Sequence, residues 1–121
     1  MKIKIVILSP YKNTSVYADE DANDFTIGVN KIDKDVRSFV REAIGIVSKW
    51  PELLEDTSVI DGIKYKIAYY DGINSRQFVG INKQPEDFHM LLKLIARNDP
   101  VVEEEKRRRQ LIEDFRSSHN L

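Results

Sequence analysis

Residues 57–95, TSVIDGIKYKIAYYDGINSRQFVGINKQPEDFHMLLKLI, constrain this chain more than any other stretch. Ile63, Tyr65, Ile67 and Tyr69 fall on one side of an extended backbone and Lys64 and Lys66 on the other, the period-two pattern of a half-buried antiparallel strand. Asp61-Gly62 and Asp71-Gly72 bracket that strand, and both dipeptides accept the positive φ of tight hairpin turns. The spacing therefore predicts a meander with strands at 58–60, 63–70 and about 75–81, with Gly80 marking a bulge or a close approach to the backbone. A helix follows, with Pro85 at its first position, Glu86 and Asp87 in its first turn, and Phe88, Leu91, Leu92 and Ile95 on one stripe.

The upstream half supplies partners for the meander. Ile3, Ile5 and Ile7 alternate with Lys2 and Lys4, which predicts a first strand ended by Ser9-Pro10. Residues 11–24 are polar, with the acidic cluster Asp19, Glu20, Asp21 and Asp24, and are expected as an exposed loop or hairpin tip holding at most a short strand at 15–18. Phe25, Ile27 and Val29 predict a second strand able to pair with the first. Asp33 or Asp35 is a natural N-cap for a helix running to about Trp50. Its stripe is Val36, Phe39, Val40, Ala43, Val47 and Trp50, and Pro51 stops it. Residues 53–56 read as a short connection. Asp99-Pro100 starts a last helix to about Ser117, in which Glu103, Glu104 and Glu105 precede Arg107, Arg108 and Arg109 by four residues each. The expected fold is α+β: a mainly antiparallel sheet with two helices on one face and a C-terminal helix, in the order ββαβββαα. Residues 1–98 are expected as one domain and residues 99–121 as a charged C-terminal helix.

Composition narrows the function classes. The 121 residues hold no cysteine, which removes disulfides, thiolate zinc sites and cysteine nucleophiles and agrees with a reducing compartment. The formal charge of −1 draws the whole chain neither to nucleic acid nor to an anionic membrane, so electrostatic specificity has to be local. No apolar run approaches bilayer length. The start, MKIKIVILSP, alternates lysine with isoleucine and is followed by no small-residue cleavage site, so it reads as a strand of a cytoplasmic protein and not as a signal peptide.

No phosphate loop, dinucleotide fingerprint, nucleophile elbow or Ser/His/Asp order is present, and the expectation is a non-enzymatic protein with no cofactor. His89 and His119 are the only histidines, without the paired spacing of a metal site. The 19–24 loop lacks the glycine and the distal glutamate of a calcium loop. Two acidic segments remain, Asp19, Glu20, Asp21 and Asp24, and Glu52, Glu55 and Asp56, each suited to steering a basic partner, with Tyr17 and Tyr70 as aromatic anchors. The alternative is nucleic-acid binding through Lys106, Arg107, Arg108 and Arg109, whose guanidinium forks match phosphate oxygens.

Taken with the order of elements, the run Asp61-Gly62-Ile63-Lys64-Tyr65, the turn Asp71-Gly72 and the cap Pro85-Glu86-Asp87-Phe88 resemble small bacterial immunity proteins of the polymorphic-toxin and contact-dependent growth inhibition kind, over about Lys2 to Asn98. The resemblance implies a cytoplasmic protein that binds one cognate toxin domain, often a basic nuclease, and masks its active site. These families vary so much in fold that no binding residue is carried over.

Overall fold

The structure, a computed structural model, describes residues 1–119, with side chains to residue 117. The protein is α+β, with a seven-stranded mixed sheet and three helices. In chain order the elements are β1 (Lys2–Leu8), β2 (Asn13–Asp19), β3 (Asp24–Ile27), β4 (Asn30–Lys31), α1 (Val36–Val47), β5 (Leu53–Glu55), β6 (Lys64–Tyr70), β7 (Ser75–Ile81), α2 (Phe88–Asn98) and α3 (Pro100–His119). Across the sheet the order is β4-β3-β2-β1-β6-β7-β5. All pairs are antiparallel except β5 with β7.

The alternation in β1 and β6 does what it predicts. Ile3, Ile5 and Ile7 sit beside Tyr69, Ile67 and Tyr65 on the buried face, against Val36, Phe39, Val40, Ala43 and Val47 of α1 and Phe88, Leu91, Leu94 and Ile95 of α2. Burial of side chains this large contributes about 1.5–3 kcal/mol each, so the two helices are held on this face. Trp50 closes the layer. Its ring meets Tyr65 and Phe88 at 5.8 and 5.9 Å, and its Nε1 donates to Asp87 Oδ1 at 2.6 Å, tying the segment after α1 to the start of α2.

Several elements differ from the expected order. β2 is a full seven-residue strand where a loop is expected. Val16 and Ala18 point into the core, while the outward residues face no helix and so are free to be polar. As a result β2, not β3, pairs with β1, and β3 pairs with β2. The strand expected at 58–60 is replaced by β5 at 53–55: Leu54 is half-buried, whereas Ile60 is 88% exposed. Because β5 runs parallel to β7, Asp61-Gly62 belongs to a crossover and makes no hairpin.

Helix boundaries shift as well. Asp35 caps α1 by accepting the Arg37 and Ser38 amides, and α1 ends at Val47, short of Trp50. Pro85 lies in a turn ahead of α2, which begins at Phe88. Leu92 is exposed, and Leu94 takes the place expected for it on the buried stripe. No helix among the described residues is long and apolar enough to cross a membrane.

Candidate functional site

With α1 and α2 packed on one face, the other face of the sheet carries its own ordered set of side chains. Strand register arranges them in rows. Asp24, Asp19, Lys2, Tyr70 and Ser75 form the first row; Lys31, Thr26, Tyr17, Lys4, Ala68 and Gln77 form the second. Ser15, Val6, Lys66, Val79 and Leu53 form the third, and Asn13, Leu8, Lys64, Ile81 and Glu55 the fourth. Every one of these side chains is exposed or half-buried.

Around Ala68 the face dips into an open groove of about 610 Å³, bordered by Lys2, Lys4, Tyr17, Tyr70 and Gln77. The two tyrosine rings are anchored through their hydroxyls. Tyr70 donates to the Gly72 carbonyl at 2.9 Å, and Tyr17 donates to Asp19 Oδ2 at 3.3 Å. Burial first, and then the Asp19 carboxylate to which it donates, raises the Tyr17 hydroxyl above its ordinary pKa. Asp19 in turn is held below the usual carboxylate range, chiefly by the amide of Ala22, then by that of Asp21 and by Tyr17 and Lys2. It is both the keystone of the β2–β3 turn and a member of the exposed row.

The residues expected to bind a partner divide among several places. Tyr17, Asp19, Asp24 and Tyr70 lie on the uncovered face, at one end of it. Asp21 is exposed at the tip of the adjoining turn. Glu20 turns away toward α1 and pairs with Arg41 at 3.5 Å. The second acidic segment lies at the opposite sheet edge: β5 and β2 are four strand spacings apart, about 19 Å, so the two segments do not form one patch. There Glu52 pairs with Arg76 at 3.3 Å, Glu55 ends the fourth row, and Asp56 accepts from the Ser58 amide and hydroxyl, with its carboxyl lowered by them.

Lys106, Arg107, Arg108 and Arg109 are exposed on α3, where Arg107 and Arg108 pair with Glu103 and Glu104 at 3.8 and 3.2 Å. His89 is exposed, its Nδ1 3.1 Å from the Glu86 carbonyl oxygen. The His119 side chain lies outside the described residues. Among the described residues no three histidine or carboxylate groups converge on a point that would hold a metal.

Sequence reasoning set Lys64 and Lys66, with Ala68 and Tyr70, on the sheet face open to a partner but missed that Lys2 and Lys4 join them. Lys2 and Lys4 join Lys64 and Lys66 on one surface only because β1 pairs with β6, across some sixty residues of chain. The signal was present in the matching runs Lys-Ile-Lys-Ile and Lys-Tyr-Lys-Ile, each of which sets its lysines opposite its core residues. Comparison with protein-family models, with curated proteins and with solved structures finds no match to this chain.

Proposed function

We propose that the protein is a non-enzymatic binding protein whose working surface is the uncovered face of the sheet. In the setting the sequence resemblance implies, it is an immunity or inhibitor protein of the bacterial cytoplasm that docks on a toxin domain and masks it. The observation that carries the reading is the groove around Ala68, where two anchored tyrosines border a surface that no helix covers. Aromatic side chains held in place lose little entropy on binding and are the residue type most often responsible for binding energy.

The charge on this face points to a partner different from the basic nuclease expected. Lys2, Lys4, Lys64 and Lys66 occupy its two central strands, while the carboxylates lie toward its edges. A complementary surface is acidic at its centre. Nucleic acid is the second reading, favoured by the same lysines and not by the run on α3, where Arg107 and Arg108 are ion-paired.

Co-expression with the product of the neighbouring gene and co-purification of the complex tests the proposal. A stoichiometric complex that is lost in a Lys4→Glu, Tyr70→Ala variant is expected. A complex indifferent to those changes, or no complex, contradicts it.

A further inference from the structure

We propose that the uncovered face is a track for single-stranded nucleic acid. The inference rests on that face being the working surface, and it does not require the partner to be a protein. The register of β1 against β6 sets one lysine in each of four successive rows: Lys2 beside Tyr70, Lys4 beside Ala68, Lys66 beside Val6 and Lys64 beside Leu8. Rows on one face of a strand are two residues, or about 6.8 Å, apart, so the four lysines are rooted along about 20 Å of the sheet, Lys2 and Lys4 on β1 and Lys66 and Lys64 on the neighbouring β6. A single strand carries one phosphate per nucleotide and presents charges at a comparably regular interval. A protein strand can repeat its carboxylates at the same interval, so it is the tyrosine rings set beside the lysines that favour a nucleic acid.

Among the described residues none of the four lysines forms an ion pair, so no internal carboxylate competes with a ligand at salt-bridge distance. Asp19 and Asp24, in the row of Lys2, are the acidic groups that bound the track toward β3.

Phosphate contacts alone would place a strand without orienting its bases. Tyr17 beside Lys4 and Tyr70 beside Lys2 supply ring faces at one end, each fixed by its hydroxyl, with the small Ala68 leaving the groove between them. The volume of about 610 Å³ lies in the range of small-ligand sites, and Gln77 offers an amide to a base edge. Stacking of bases on aromatic rings tolerates any base, which predicts binding with little sequence preference.

Fluorescence anisotropy of the full chain with labelled oligouridylate and oligothymidylate tests the proposal. With four phosphates neutralised, the slope of log affinity against log salt is about −2.8, an affinity loss of about 50-fold between about 50 and about 200 mM salt. Lys4→Gln with Lys66→Gln is expected to reduce the slope to about −1.4 and that loss to about 7-fold. Tyr17→Ala with Tyr70→Ala is expected to weaken binding at least about 5-fold at an unchanged slope, while Tyr17→Phe with Tyr70→Phe, which keeps the ring faces but releases their hydroxyl anchors, is expected to weaken it less.

Absence of binding at low salt overturns the inference, as does binding that survives the lysine changes but is lost when residues 106–109 are neutralised. Displacement by poly-L-glutamate at equal charge, with no sensitivity to the tyrosine changes, overturns it in favour of an acidic protein surface. If oligonucleotides fail while the co-expressed partner is still lost in Lys4→Glu, Tyr70→Ala, the nucleic-acid inference falls alone. If both the oligonucleotides and the partner ignore the face, the reading beneath it falls too.

Discussion

Gly80 and Tyr65 show how closely single residues fix the two faces of this sheet. A Cβ built on Gly80 would stand 1.9 Å from Tyr65 Cε1, so the glycine is the space into which the ring packs. Tyr65 then reaches Trp50 and Phe88, with its hydroxyl buried and without a hydrogen-bond partner among the described residues. Gly80→Ala forces the ring or the strand aside and is expected to cost about 1–3 kcal/mol, read as a lower urea midpoint at an unchanged slope. Tyr65→Phe removes only an unsatisfied oxygen and is expected to hold or raise the midpoint. A fall of more than about 1 kcal/mol in Tyr65→Phe would show that the hydroxyl is satisfied after all.

At the scale of elements, the β6–β7 hairpin depends on a charged turn. Asp71 Oδ1 accepts the Asn74 and Ile73 amides at 2.7 and 2.8 Å, and these bonds, that of Asn74 first, hold its carboxyl below the ordinary value. Asp19 and Asp56 are lowered in the same way by the turns they close. A carboxyl whose folded pKa is depressed contributes its full stability above its unfolded value of about 3.9 and loses it as pH falls through the lower folded value. The urea midpoint is therefore expected to be insensitive to these groups from neutrality to about pH 5 and to drop below about pH 4, with Asp71→Asn making the drop shallower. A midpoint that rises on acidification in that window would contradict this account.

The hairpin is also where legibility in the sequence is greatest, because Asp71-Gly72 is a local signal and Gly72 does take a φ of +99°. The same holds for the α1 stripe and for β6, whose periods are carried entirely by core residues. β2 is hard to read because its outward half faces no helix, and Ser15, Tyr17 and Asp19 resemble a loop when seen without the sheet beneath them. β5 is hidden for another reason: three residues carry no period, and its place is set by the free edge of β7, where Val79 donates to the Glu52 carbonyl at 2.8 Å and Asp56 to that of Ile81 at 3.0 Å. Of the surface set, Tyr17, Tyr70, Asp19 and Asp24 can be named from composition and turn chemistry. The lysine line cannot, since it exists only in the nonlocal register of β1 and β6.

For the whole molecule, a formal charge of −1 conceals a segregated surface. Four lysines occupy β1 and β6 on one sheet face, carboxylates flank them on β2, β3 and β5, and α3 neutralises part of its own charge through two i,i+4 pairs. Binding by such a protein falls with salt because of a handful of local contacts and not because of a global field. The most direct test of the lysine and tyrosine track on the uncovered face is backbone amide chemical-shift mapping of the full chain on titration with oligouridylate. The account predicts that the largest shifts fall on β1, β2, β6 and β7 around Lys2, Lys4, Tyr17, Lys66 and Tyr70, with α1 and α2 unmoved. Shifts confined to residues 103–109 of α3, or spread over the helical face, would contradict it.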